Sequence, residues 1–173
     1  MNESGKFKWP VSVTRQLPAA ADEVWRVISS SGNLTLYHPF CRENPVEKWP
    51  GTGSRDGVLY YNGMELWRDF TNWIDGVGYD LFIGKKGGRK SRVIWRISHP
   101  GNNECSLTIT IEPYWLQNVP AFIRRLPYVL RLRPLLSSYL ESVLKGLEYY
   151  ITTGQKVKRN QLGAHPFFSP KAK

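Results

Sequence analysis

The chain has 173 residues, 41% hydrophobic and 13% aromatic, with 24 basic and 14 acidic side chains for a net charge of +10. That length suits one domain with a sizeable core, and the composition excludes a disordered polymer. Residues 1–6 lack the apolar run of a secretory signal, and no stretch approaches the roughly 20 apolar residues of a membrane span.

Cys41 and Cys105 are far apart, and the three histidines (His38, His99 and His165) are scattered. This spacing predicts a reduced, cytoplasmic protein with no metal site and no other cofactor. The charge is uneven. Residues 1–120 carry 14 basic and 12 acidic side chains, or +2, whereas residues 121–173 carry 10 and 2, or +8. Such asymmetry points either to an anionic partner for the C-terminal third or to a solvated basic face.

In chain order, residues 6–16 alternate, with Phe7, Trp9, Val11 and Val13 on one face, as a half-buried strand does. After Pro18, Ala19 to Ser30 reads as a helix with Val24, Trp25, Val27 and Ile28 in its apolar stripe. A short second helix or turn follows through Leu34, Leu36 and Tyr37 and stops at Pro39. Turn signals then recur about every ten residues, among them Asn62-Gly63 and Pro100-Gly101. They separate five to six strand-like runs, the clearest being Met64–Ile74, Arg89–Ser98 and Glu104–Glu112. In the last, Leu107, Ile109 and Ile111 alternate with Thr108, Thr110 and Glu112, which predicts an antiparallel meander with one wet face. From Pro134 onward, Leu136, Leu140, Val143, Leu147 and Ile151 recur at helical spacing. About 19 residues at about 1.5 Å each make a rod of nearly 30 Å, and only a curved sheet wraps such a rod. Residues 154–173 read as an irregular tail.

The run Leu17-Pro18-Ala19-Ala20-Ala21-Asp22-Glu23-Val24-Trp25-Arg26-Val27-Ile28, with Asn33-Leu34 and His38-Pro39 after it, resembles the opening of the START-related, birch-pollen-allergen-like (SRPBCC) superfamily. The order strand, two short helices, meander and long helix is similar too, over about residues 6–153. The resemblance implies an α+β helix-grip fold: about seven curved antiparallel strands around a long C-terminal helix, in one domain. Bacterial members include polyketide cyclases, dehydratases and lipid carriers. Residues 114–133 depart from the pattern, because many relatives have a shorter link there.

If each strand's apolar face meets the helix, the wall of an internal pocket includes Trp9, Val11, Leu66, Phe70, Leu81, Trp95, Leu107 and Ile109. Arg68 shares the parity of Leu66 and Phe70, so its charge requires either a carboxylate partner or a ligand anion on the dry side. A bulge in this strand would instead turn Trp67 and Trp73 inward. Asn72 is a weaker polar candidate. His38 either caps backbone at a helix end or acts as a base.

Between 114 and 133, aliphatic and aromatic residues alternate with Arg124, Arg125, Arg131 and Arg133. The segment reads as a contact for an anionic membrane, a lid over the pocket, or ordinary packing. Nucleic-acid binding is disfavoured, since these arginines are interleaved mainly with aliphatics and no recognition motif is present. The expected function is therefore carriage of a hydrophobic or amphipathic small molecule, lipid or polyketide-like. The alternative is a cyclase or dehydratase. An enzyme would converge two or more titratable groups in the cavity, whereas a carrier would show one or none.

Overall fold

The computed structural model describes residues 9–98, 101, 103–114 and 128–169. Phe7, His99, Arg124, Arg125 and most of the link before the long helix lie outside them. The chain begins with β1 (Val11–Leu17), α1 (Ala21–Ile28) and α2 (Leu34–Tyr37). Two short strands follow, β2 (Cys41–Glu43) and β3 (Val46–Lys48). The meander comprises β4 (Arg55–Tyr60), β5 (Glu65–Ile74), β6 (Gly78–Gly84), β7 (Lys90–Ser98) and β8 (Cys105–Glu112). A π-helical turn (Tyr128–Leu132) leads into α3 (Arg133–Thr153), the long C-terminal helix.

All pairings between these strands are antiparallel, in the order β1-β8-β7-β6-β5-β4-β2, with β3 on the same edge of β4 as β2. The seven positions match the expected number; the eighth strand arises because the edge breaks at Asn44-Pro45 into two pieces. The three clearest sequence runs all form strands, each starting one residue later than their pattern suggested. In β1 the inward parity of Val11, Val13 and Leu17 also holds Arg15, whose guanidinium meets Glu148 of α3 at 2.5 Å.

The long helix buries Leu136, Leu140, Val143, Leu144 and Leu147, and it ends at Gly154 in the left-handed region, φ +67. A second glycine decides how closely it packs. A Cβ at Gly146 would lie 2.0 Å from the carbonyl oxygen of Tyr37, so the absence of a side chain lets α3 touch the end of α2. This contact draws the C-terminal half of the helix against α2. From the N-terminal half, Leu136, Tyr139 and Leu140 face the sheet across a cavity.

In β5 the register shifts between Phe70 and Asn72, which marks a bulge at Thr71. Beyond it Trp73 joins the inner side and stacks on Tyr79 at 5.5 Å, while Asn72 and Ile74 are exposed. Trp67, before the bulge, stays outside under Arg55 and Lys86.

A candidate ligand cavity and its polar wall

A cavity of about 470 Å³ separates the sheet from the N-terminal half of α3. This volume falls within the range that small-molecule sites occupy. Strands β4 to β8 supply an apolar wall that includes Val58, Leu66, Leu81, Val93, Trp95 and Ile109; the helix supplies Leu136, Tyr139, Leu140 and Val143. At the open end stand the hairpin residues Asn62, Lys85 and Arg89 together with Leu135 and the exposed Phe167.

Of the residues expected at the wall, Leu66, Arg68, Leu81, Trp95 and Ile109 line this space. Trp9, Val11, Phe70 and Leu107 do not; they pack into the core elsewhere. Phe70, for example, sits edge-on to Trp49 and Tyr79 at 5.1 Å each. Arg131 and Arg133 are exposed beside Leu130, which is 66% exposed.

The described part of the tail, residues 154–169, contains no helix or long strand, but it returns to the cavity. Val157 donates its N–H to the carbonyl of Leu36 at 2.9 Å, and His165 and Ser169 exchange backbone hydrogen bonds at 3.0 Å. Asn62 donates its side-chain amide to the carbonyl of Phe167. These bonds place the Phe168 ring 4.6 Å from that of Tyr60 and 4.7 Å from that of Tyr139, so Phe168 and Phe167 become part of the lining.

Arg68 meets a carboxylate. Its Nε and Nη2 donate to Asp56 at 2.7 and 2.5 Å, a bidentate pair in which both side chains are buried. The pairing register sets Asp56 directly across from Arg68. Asn44 donates to the same carboxylate at 2.9 Å, and its own carbonyl oxygen accepts the N–H of Leu34 at 3.1 Å. The charge is thus neutralised within the wall and tied to the start of α2.

His38, just after α2, is buried. Its Nδ1 accepts the backbone N–H of Phe40 at 3.2 Å, which is the capping role. Its Nε2 lies 2.8 Å from the hydroxyl of Tyr139, and that hydroxyl lies 3.0 Å from the hydroxyl of Tyr60. Burial first, then the nearby positive charge of Arg68, pushes the imidazole down to about 3. Burial also raises the phenols of Tyr60 and Tyr139 above their ordinary range. At neutral pH the histidine is therefore uncharged and both tyrosines keep their protons.

Sequence reasoning identified His38 but missed Tyr60 and Tyr139. Tyr139 shares the face of Leu136 and Val143, so the helical spacing could have exposed it. No comparable signal marks the tail phenylalanines. Among the described residues, no three His, Cys, Asp or Glu side chains gather as a metal site would require. No described helix is long and apolar enough to cross a membrane.

No protein-family model matches the sequence, and no curated protein resembles it significantly. Solved structures do. A START superfamily protein from Mycobacterium smegmatis superposes with a TM-score of 0.64 at 15% identity, covering 86% of this chain and 100% of that one. This is a START-type helix-grip fold. TTHA0849 from Thermus thermophilus shares it at 20% identity and a TM-score of 0.64, over 84% of this chain and 98% of its own. DynU16, a protein of the dynemicin biosynthetic locus, does so at 17% identity and a TM-score of 0.64, over 88% of this chain; the match spans 52% of DynU16. The START-type architecture, an antiparallel sheet gripping one long helix, confirms the α+β expectation.

Proposed function

We propose that the protein binds and carries a hydrophobic or amphipathic small molecule, lipid or polyketide-like, in the cavity beneath the N-terminal half of α3. The carrying observation is the roughly 470 Å³ of space walled by aliphatic and aromatic side chains. Arg68, His38, Tyr60 and Tyr139 converge on that wall, as an enzyme would require, but their protonation states are set against acid–base work. Arg68 is committed to Asp56, His38 is held neutral with both ring nitrogens engaged, and the two tyrosines stay protonated. A general base poised near neutral pH is missing from this group, which favours a carrier over a cyclase or dehydratase.

Titration with 8-anilinonaphthalene-1-sulfonate tests the reading. Saturable binding of one probe per chain is expected, and Ile83→Trp, which fills the lining, should weaken it at least about tenfold while leaving the circular dichroism unchanged. Unaltered affinity in the filled variant would show that the probe sits elsewhere and defeat the reading.

Exposed Leu130, Arg131 and Arg133 precede the cavity-lining Leu135. Their chemistry supports contact with an anionic bilayer where a ligand would enter. Co-sedimentation with phosphatidylserine vesicles, weakened by salt and by Arg131→Glu/Arg133→Glu, is the expected result. Equal binding to phosphatidylcholine vesicles would count against it.

A further inference from the structure

The polar wall has a direction, and that direction selects a ligand group. The ring of His38 carries one proton when neutral, on either Nδ1 or Nε2. Nδ1 faces the backbone N–H of Phe40, a group that can only donate, at 3.2 Å. A proton on Nδ1 would set two donors against each other in a buried site. The proton therefore belongs to Nε2, which donates to the Tyr139 hydroxyl oxygen 2.8 Å away. Tyr139 then turns its own proton to the Tyr60 oxygen at 3.0 Å. The reverse order would need Nε2 as an acceptor and the ring proton on Nδ1, against the Phe40 amide. Tyr60 thus ends the chain as a donor, and no acceptor for its proton stands within hydrogen-bond distance among the described residues.

We propose that the Tyr60 hydroxyl, aimed by Tyr139 and His38, is a subsite for an uncharged acceptor oxygen, a ketone, quinone or ester carbonyl, on an otherwise apolar guest. Tyr60 is 1% exposed and lines the cavity beside Met64, Phe168 and Tyr139, so its proton meets a guest rather than bulk water. A buried donor left without a partner is costly, and one carbonyl oxygen satisfies it. A carboxylate fits less well. Arg68, the cation buried in this wall, already commits two N–H groups to Asp56, and a second anion would be stripped of water among aliphatic side chains. This subsite rests on the cavity-binding reading above and adds the chemical class of the guest.

The test compares 2-acetylnaphthalene with 2-isopropenylnaphthalene, which differ by a carbonyl oxygen in place of a methylene group. In the wild-type protein both should bind in the cavity. Tyr60→Phe should weaken the ketone about five- to tenfold, the loss of one neutral hydrogen bond, and leave the hydrocarbon within about twofold. An equal change for both compounds overturns the subsite and leaves the cavity reading standing; binding of neither overturns both. Nitrogen-15 NMR of the imidazole gives a second readout that needs no variant. A protonated Nε2 and bare Nδ1 on His38 are expected, and the opposite tautomer would reverse the chain and overturn the proposal.

Discussion

Asp56→Ala is expected to destabilise the protein by about 3–5 kcal/mol, because it removes one half of a buried ion pair and strands the other. Arg68 is 3% exposed and Asp56 fully buried, so water cannot take over from the missing carboxylate. Asn44 loses an acceptor in the same stroke, which loosens its hold on Leu34. For a domain of this size the melting temperature should fall by about 6–20 °C. The double variant Asp56→Leu/Arg68→Met should recover most of that loss, since replacing a whole buried pair with apolar groups is often near neutral. If thermal melts showed the double variant as unstable as the single one, stranded charge would not be the cause.

The second large effect is acid sensitivity through His38. Its folded-state value of about 3 lies below the ordinary 6.5, so between these limits the unfolded chain binds a proton that the native state refuses. Stability is then complete above about pH 6.5 and is lost progressively as pH falls towards 3. The loss by pH 5 amounts to about 2 kcal/mol, in a window where most carboxylates have yet to titrate. Burial lowers His165 as well, so it contributes with the same sign. Urea unfolding at pH 7 and pH 5 should show the drop in the wild type and a smaller one in His38→Gln. Equal drops in the two proteins would exclude His38 as the source.

The legibility of the molecule follows the range of the interactions involved. Alternation in Cys105–Glu112 and the stripe along Leu136, Leu140 and Val143 are local, and both elements form as their periods indicate. Position along a strand is another matter. Phe70 and Leu107 face inward as their parity requires, yet they pack away from the cavity, because parity reports a face and not a height within the sheet. The Thr71 bulge adds a residue to β5 and carries Trp73 inward, a change visible only once β6 is alongside. Arg68 announced a need for a partner. That the partner is Asp56 depends on the β4–β5 register, and β4 itself reads poorly with Arg55, Asp56 and Gly57 in succession. The tail is held in part by backbone bonds to Leu36, Pro39 and its own turn, which leave no imprint on side-chain pattern, and in part by the rings of His165 and Phe168.

The strand order bears on how the chain assembles. Among the described residues β1 pairs only with β8, and the hydroxyls of Ser12 and Thr110 that meet across this seam are 98 positions apart. The first strand thus leaves the ribosome long before its partner has been made, and it waits alongside α1 and α2 without the strand that pairs with it. Closing so large a loop costs entropy before any contact at the seam offsets it, a topology that sets sheet completion late and its rate on the slow side for a domain of this size.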